Sequence, residues 1–471
     1  MNKYSSVVSN TIYVALGTIG GKLIYVLMLP FYTRWLATAE FGAADTITTY
    51  TDVLITIIFL NISDAIFVYP KTAPSELKKE YFSSGLCFMA IMSGVAIILL
   101  LIVSSFEDVI NTDSVFFKYK WLIFLMMITR YYQYYTQSFV RSLDMLGLYS
   151  FTGVLLTLAV AVLSLIMIPQ LGFIGYVSAI IIAQLITSLY TSWKAKLHKY
   201  FDIKSVKKQP LVELLSYSIP LAPNSIMWWL ISGVNRPIME AKIGLAAIGI
   251  YAVASKISGV VNTASSIVSL AWCNSVLDEY GKEGFESFYN NYLRVMAAIY
   301  FLCCFALIVF SNLIVVIFST PDYYDAAYYI PILAIGLICS GLGSTVGTIY
   351  AAVKKSKYFF YSSLWGGGIS LLTIYPCIEY WGLLGVCISL MLSFITVLLS
   401  RWYYAHKFIQ LQNPIFYIIL FGSLPLLWLA DVHIHSYLKY IIYVMTLLFF
   451  LYVEREDMKK IILNVINSRK K

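Results

Sequence analysis

Apolar stretches recur along nearly the whole chain, and short polar or basic segments separate them. Each is long enough to cross the hydrocarbon core of a bilayer, which takes about 20 apolar residues of helix. Of the 471 residues, 60% are hydrophobic and 12% are charged, whereas soluble domains contain roughly 45–50% apolar and about 25% charged residues. No soluble fold could bury that much apolar surface. The sequence therefore predicts an all-α integral membrane protein.

We predict about 14 transmembrane helices, the first of which is too long to be a cleaved signal peptide. Tight turns at Ile168–Gly172 and Pro376–Gly382 join two pairs of helices. The predicted segments are 9–31, 45–69, 83–103, 121–139, 148–168, 172–192, 214–234, 246–270, 292–310, 329–351, 359–376, 383–400, 414–429 and 437–453.

The distribution of lysine and arginine predicts the orientation of these helices. With the N-terminus inside, the inward loops, the inward helix ends and both termini hold 24 of the 33 basic residues, and the outward loops hold six. Lys22, Arg130 and Lys256 are the remaining three and fall within helices. Cytoplasmic loops are enriched in lysine and arginine, so both termini are predicted to be cytoplasmic. This topology also accounts for the net charge of +9, and we expect no nucleic-acid partner.

An internal repeat is visible when the sequence is compared with itself. An offset of 207 residues aligns Gly42 with Gly249, and an offset of 210 aligns 171–175 with 381–385. Each repeat contains six predicted helices, an even number, so both repeats enter the membrane from the same side. Parallel repeats of this kind bracket a central site in many transporters.

The repeat predicts the organisation of the chain. An N-lobe of six helices occupies 1–193, and a cytoplasmic basic linker occupies 194–213. A C-lobe of six helices follows at 214–403, and two further helices with a basic tail complete the chain at 404–471. We expect the tail to lie on the anionic inner surface of the membrane.

Several short motifs resemble those of bacterial polysaccharide flippases. Residues 30–42 read PFYTRWLATAEFG, which is similar to the family's opening signature. In the second repeat, Asn235-Arg236 precedes the stretch GIYAVASKI at 249–257. In the first repeat, a Pro-x-x-Gly-x-x-Gly turn begins at Pro169. Over roughly residues 1–400, the chain resembles the Wzx-type branch of the multidrug, oligosaccharidyl-lipid and polysaccharide exporter superfamily. It departs from that pattern at Pro376–Gly382, which is longer than the turn of the first repeat, and at 366–368, where three glycines replace the usual asparagine.

The resemblance implies a function as well as a fold. It implies two six-helix lobes in a V that alternately open inward and outward across the bacterial cytoplasmic (inner) membrane. The implied cargo is an undecaprenyl-diphosphate-linked oligosaccharide for O-antigen (lipopolysaccharide), capsule or exopolysaccharide. The implied partners are membrane lipids, a polysaccharide polymerase and a chain-length regulator. The chain would be a flippase, not an enzyme, and would need no cofactor.

Three basic residues, Lys22, Arg130 and Lys256, are predicted to lie near the middle of the membrane. A charge at that depth costs about 2.5–3.5 kcal/mol on insertion scales, so such charges are presumed functional or paired. A cationic cavity is what a diphosphate headgroup requires, because its charges cannot enter hydrocarbon alone. Arg130 and Lys256 have no evident acidic residue in neighbouring segments, and we expect both to bind cargo together with Gln137.

A second interpretation applies to Lys22. Asp45, Thr49, Asp52 and Thr56 form one polar stripe along the second predicted helix, at three- and four-residue spacing. Asp52 is at a depth that Lys22 could reach, so a structural ion pair and a free cargo-binding lysine both remain open.

Four further residues have two open interpretations each. Asp52 and Asp64 are candidates for proton or sodium coupling, since burial can raise the pKa of a carboxylate; the alternative is an ion pair or a helix cap. Arg34 and Arg236 lie near the outer ends of the first and seventh predicted helices, where they could form an outer gate or anchor the interface.

Three other classes of protein compete with a flippase. A membrane-embedded polysaccharide polymerase or acyltransferase would need catalytic residues, yet none of the four histidines lies in a predicted membrane segment. The seven cysteines form no CxxC pair and the chain has no phosphate-loop motif, so neither a metal nor a nucleotide is expected. A multidrug exporter on the same fold would carry cationic cargo, which three buried cations disfavour. Buried charge also disfavours a purely structural scaffold.

Overall fold

The computed structural model describes residues 24, 26–105, 113–411, 414–433 and 438–452. Within those residues the chain is almost entirely helical and has no β-strand. The helices, in chain order, are α1 (Leu29–Trp35), α2 (Thr38–Phe59), α3 (Ile62–Thr72), α4 (Ser75–Ser104), α5 (Val115–Lys118), α6 (Lys120–Ser142), α7 (Leu146–Lys194), α8 (Lys208–Ser218), α9 (Ala222–Ser232), α10 (Asn235–Lys242), α11 (Gly244–Ser258), α12 (Val260–Glu279), α13 (Phe285–Val309), α14 (Ser311–Phe318), α15 (Ala326–Ala352), α16 (Lys357–Ala405), α17 (Pro414–His433) and α18 (Leu438–Tyr452).

The two longest helices, α7 and α16, each contain a turn. Both have 49 residues, or about 74 Å of helix, which is more than twice the roughly 30 Å hydrocarbon core. Gly172 interrupts α7 with φ 57° and ψ −139°, and Gly382 interrupts α16 with φ 55° and ψ −130°. Glycine alone adopts such angles readily. A Cβ on Gly175 would lie 2.2 Å from the carbonyl oxygen of Met167, so the chain folds back sharply. Both predicted turns are confirmed, and their matching conformations fit the sequence repeat.

The segment predicted as one helix at 45–69 is divided in two. Leu60 and Asn61 both have left-handed backbone angles, and α3 is bent from α2 by 55°. Asparagine tolerates this conformation better than most residues, and the Asn61 side-chain amide donates a 2.8 Å hydrogen bond to the Ser225 hydroxyl. The prediction of one continuous helix here was wrong, because a helix break between two apolar residues leaves no signal in hydropathy.

Two other predicted segments are also divided. The segment at 214–234 contains a 3₁₀ turn at Ile219–Leu221 between α8 and α9, where Pro220 provides no backbone N–H for the helix. The segment at 246–270 ends one helix at Ser258 and begins the next at Val260. In both places the backbone keeps right-handed helical angles, so each predicted segment has a local interruption in its hydrogen bonding but no change of direction is implied.

Six of the described helices are long and apolar enough to cross a membrane, and the bent pair α2–α3 would be a seventh span. Because α7 and α16 each supply two spans, the chain is a multi-pass membrane protein. The total of 14 stays a prediction, since the first predicted helix and part of the C-terminal region lie outside the described residues.

The helices form two compact units. The first comprises the described parts of Met1–Lys256, Ile317–Tyr324 and Gly367–Val386. Its core is rich in aromatic residues, and the rings of Phe59 and Tyr131 stack at 3.9 Å with 7° between their planes.

The second unit comprises the described parts of Ile257–Val316, Asp325–Gly366 and Cys387–Lys471. Helix α15 is central to this unit, since 89% of the most apolar part of the helix is buried. The Tyr289 hydroxyl donates a hydrogen bond of 2.9 Å to the carbonyl oxygen of Val346, which satisfies a polar group inside this core. By contrast, only 11% of the most apolar part of α4, in the first unit, is buried. The exposed apolar side chains of α4 suit contact with lipid.

The predicted linker at 194–213 folds against the start of α4. The Ser83 hydroxyl donates to the carbonyl oxygen of Tyr200 at 3.0 Å and accepts from the Asp202 N–H at 3.0 Å. Lys79 forms an ion pair of 3.0 Å with the Asp202 carboxylate. These contacts hold the linker in a defined position at the end of the helices.

Candidate functional site

Asp45, on α2, holds two basic side chains from later in the chain. Its Oδ2 lies 3.2 Å from Nε of Arg236 on α10, and its Oδ1 lies 3.1 Å from Nζ of Lys256 on α11. The three side chains are only 13%, 13% and 10% exposed. A single carboxylate therefore pairs with two largely buried cations, and the trio carries one net positive charge.

Aromatic rings flank both cations. Lys256 Nζ lies 4.7 Å from the centre of the Phe41 ring, and Arg236 Cζ lies 4.7 Å from the centre of the Tyr251 ring. The Asn235 amide donates to the Tyr251 hydroxyl at 3.0 Å, and its oxygen accepts from Arg236 Nη1 at 2.9 Å. Cation–π contacts of this kind stabilise a desolvated cation, so the rings help to keep both charges inside the helices.

The approach of two glycines brings Asp45 within reach of Lys256. A Cβ on Gly42 would lie 2.0 Å from the carbonyl oxygen of Leu245, and a Cβ on Gly249 would lie 2.0 Å from that of Thr38. Only glycine permits such contact between α2 and α11. The sequence repeat pairs Gly42 with Gly249, and here these equivalent positions meet at one helix crossing.

A second ion pair lies two turns farther along α2. Nη2 of Arg130, on α6, is 2.8 Å from Oδ1 of Asp52, and the two side chains are 18% and 46% exposed. Arg130 Nε also donates to the Tyr134 hydroxyl at 3.1 Å. Asp52 is thus more accessible to solvent or ligand than Asp45. We call Asp45, Asp52, Arg130, Arg236 and Lys256 the α2 charge network.

These pairs correct one sequence-based expectation. Arg130 and Lys256 were expected to have no acidic partner, and this was wrong because Asp52 and Asp45 are their partners. Asp45 was absent from the candidate site residues. Its only signal was the stripe of Asp45, Thr49, Asp52 and Thr56, whose two threonines donate to carbonyl oxygens of their own helix.

The other candidates lie apart from these pairs or outside the described residues. Lys22, and with it a Lys22–Asp52 pair, falls outside the described residues. The amide of Gln137 donates to the Thr152 hydroxyl at 3.1 Å, and Arg34 is exposed in the last turn of α1. Asp64 is exposed in the first turn of α3, directly after the helix break.

The α2 charge network contains three cations and two carboxylates, so its net charge is +1. A group with a net positive charge can bind an anion. Among the described residues, no group of three histidine, cysteine or acidic side chains could hold a metal ion.

The fold is shared with several solved membrane transporters. The lipid II flippase MurJ, in an inward closed conformation, has a TM-score of 0.71 at 14% identity and covers 95% of this chain and 99% of its own. An inward-facing multidrug resistance MATE transporter of the MOP superfamily has a TM-score of 0.66 at 14% identity, with coverage of 88% and 96%. A mutant of the Vibrio cholerae MATE transporter VcmN has a TM-score of 0.60 at 15% identity, with coverage of 86% and 98%.

Comparisons of sequence identify the family. No curated protein matches the chain. The family model described as "Polysaccharide biosynthesis protein" matches residues 7–273, which is more than half of the sequence. The chain therefore belongs to the polysaccharide biosynthesis protein family, as a multi-pass membrane protein with a MOP-superfamily transporter fold.

Proposed function

We propose that this protein is a flippase for undecaprenyl-diphosphate-linked oligosaccharide repeat units, of the kind used for O-antigen, capsule or exopolysaccharide. It would carry them from the inner to the outer leaflet of a bacterial cytoplasmic membrane without catalysing a reaction. The observation that carries the proposal is the pairing of Asp45 with both Arg236 and Lys256 inside the helices. Membership of the polysaccharide biosynthesis family supports the glycan part of the cargo.

The charge network suits a diphosphate for an electrostatic reason. A diphosphate brings several negative charges that hydrocarbon does not solvate. Arginine can donate two parallel hydrogen bonds to phosphate oxygens, and Arg130 and Arg236 both offer that geometry. In our proposal Asp45 and Asp52 hold these cations in place while no cargo is bound. The arriving diphosphate then replaces the carboxylates as the partner of the cations.

The same pairs could couple cargo binding to alternating access. Asp45 belongs to the first sequence repeat, at 1–193, and both of its cations belong to the second, at 214–403. Any motion that separates these repeats at α2 and α11 must break the Asp45 ion pairs. Arg236 would then act as a gate residue, and Arg34, near the outer end of the first predicted helix, is the other candidate. A cargo diphosphate that binds Arg236 and Lys256 would lower the free energy needed to separate them from Asp45.

Topology forms part of the proposal. We assign both termini and the linker at 194–213 to the cytoplasm, on the positive-inside distribution of lysine and arginine. A polysaccharide polymerase that consumes the delivered repeat units is the expected partner on the outer side, with a chain-length regulator.

A multidrug exporter is the alternative on this fold, since MATE transporters also match it. Their similarity, at 14% identity, concerns the fold alone. A cationic drug would meet a network with a net charge of +1, which favours an anionic cargo over a cationic one.

The test of the proposed function is a deletion of the gene in its host. We expect an undecaprenyl-diphosphate-linked saccharide to accumulate on the inner leaflet while surface polysaccharide is lost. Complementation with the wild-type gene should restore export, and complementation with a Lys256→Ala gene should fail at equal protein level. Normal surface polysaccharide in the deletion strain would refute the proposal.

A further inference from the structure

A cavity of about 290 Å³ lies between α4, α6 and the end of α7, within the first compact unit. The cavity is lined by the apolar side chains of Leu86 and Phe201 and by Trp193 and His198. Two hydroxyl groups lie close together in the lining: the Tyr132 hydroxyl is 3.2 Å from Oγ of Ser192. None of these residues belongs to the α2 charge network.

The cavity lies at the depth of lipid headgroups. The second half of α7, from Gly172 to Lys194, is about 33 Å long, slightly more than the roughly 30 Å hydrocarbon core. If the turn at Gly172 is at one surface of the core, Trp193 and Lys194 are at the other. Tryptophan is enriched at this interface because its ring is apolar and its N–H is polar.

Exposed apolar side chains around the cavity suit a lipid surface better than water. Trp193 is 69% exposed, Phe201 is 44% exposed and Ile203 is 77% exposed. They alternate with exposed lysines in the same short segment: Lys194, Lys196, Lys199 and Lys204. Basic pockets between transmembrane helices on the cytoplasmic side are a recognised form of anionic-lipid site.

The segment that carries these lysines is held in place. Its one carboxylate, Asp202, is already paired with Lys79, and the nearby Lys207 is paired with Glu80. The backbone of this segment is therefore held in place, and the segment has an excess of positive charge.

We propose that this cavity binds the headgroup of an anionic phospholipid such as phosphatidylglycerol. The phosphodiester would lie near Lys194, Lys196 and Lys199 and accept hydrogen bonds from the hydroxyls of Tyr132 and Ser192. A volume of about 290 Å³ suits a small polar group such as a glycerophosphate headgroup. The site is independent of the proposed cargo.

The test uses full-length protein reconstituted in phosphatidylcholine nanodiscs that contain a minor fraction of phosphatidylglycerol. Native mass spectrometry after release from the nanodisc measures the phosphatidylglycerol retained. The first variant is Lys194→Gln/Lys196→Gln/Lys199→Gln. Its matched control is Lys354→Gln/Lys355→Gln/Lys357→Gln, which removes three exposed lysines from the turn between α15 and α16. A third variant, Ser192→Phe, fills the cavity and keeps every charge.

The wild-type protein and the control variant should each retain one phosphatidylglycerol. The first variant should bind it more weakly by roughly two orders of magnitude, given the usual contribution of each lysine near an anionic surface. Ser192→Phe should lose it although no charge has changed. Equal losses in the two lysine variants would mean general surface attraction and would overturn the proposal. Retention by Ser192→Phe would overturn it as well, as would preferential retention of phosphatidylcholine by the wild type.

Discussion

Oδ1 of Asp45 lies 3.1 Å from Nζ of Lys256, although 211 residues separate them in sequence. The pair joins equivalent helices of the two sequence repeats, and the crossing of Gly42 and Gly249 makes the contact geometrically possible. Arg236 shares the same carboxylate. Loss of Asp45 would therefore leave two largely buried cations without their common partner.

The first prediction concerns Asp45 itself. Asp45→Asn should lower the unfolding free energy by about 3 kcal/mol, because an uncompensated buried charge is costly. The additional change Lys256→Met removes one of the stranded cations, so the double variant should regain part of that stability. Thermal denaturation of all four proteins in detergent measures the coupling between the two positions. Additive effects of the two substitutions would contradict a direct ion pair.

The second prediction concerns the close helix crossing. Gly249→Ala places a Cβ 2.0 Å from the Thr38 carbonyl oxygen, so α2 and α11 must move apart. We expect a loss of about 1–3 kcal/mol in stability, the usual effect of overpacking, together with loss of transport. Gly94→Ala on α4 is the control, because a Cβ there meets no atom within 4 Å. A Gly249→Ala protein as stable and active as the control would refute the close approach.

The repeat and its turns could be predicted from sequence, but the ion pairs could not. Gly172 and Gly382 are visible as glycines shortly after a proline, and the structure confirms a turn at each. The partnership of Asp45 with Lys256 depends on which helices cross, and a pattern within one segment does not contain that information. The break at Leu60 and Asn61 was not predicted for a related reason, since hydropathy averaged over a segment does not register a two-residue break flanked by Phe59 and Ile62.

The third prediction concerns the linker and pH. The pKa of Asp202 lies below its ordinary value, chiefly because its carboxylate accepts a hydrogen bond from Lys79 and also from the Lys204 N–H. A carboxyl group with a lowered folded-state pKa stabilises the fold above its unfolded pKa of about 3.9. That contribution is lost as the pH falls through the lower, folded-state pKa.

The protection of the linker amides at 197–205, measured as their exchange rate relative to that of an unstructured chain at the same pH, should therefore be high at neutral pH and fall below about pH 4. Lys79→Ala should lower this protection at neutral pH already. Lys204→Ala is the control, because it keeps the backbone N–H that Asp202 accepts. Identical exchange in the Lys79→Ala and Lys204→Ala proteins would argue against the ion pair as the cause.

The fourth prediction separates Asp64 from Asp52. Because Asp52 pairs with Arg130 at 2.8 Å, Asp52→Asn should mainly lower stability, measured by thermal denaturation. Asp64 lies beside the helix break, away from the α2 charge network, and is the remaining candidate for an ion carrier. Asp64→Asn should abolish the dependence of transport on a pH gradient in reconstituted vesicles. If that dependence persists, Asp64 does not couple transport to protons, and consumption of the cargo outside remains as the driving force.

The central claim is that the cations of the α2 charge network recognise an anionic lipid-linked cargo. The most direct measurement is translocation of a fluorescent undecaprenyl-diphosphate oligosaccharide in proteoliposomes, detected by a membrane-impermeant quencher. We predict transport by the wild type, little by Lys256→Ala or Arg130→Ala, and more by Lys256→Arg than by Lys256→Ala, because the charge is retained. Undiminished transport by both alanine variants, or transport of a cationic drug in place of the lipid-linked oligosaccharide, would contradict the account.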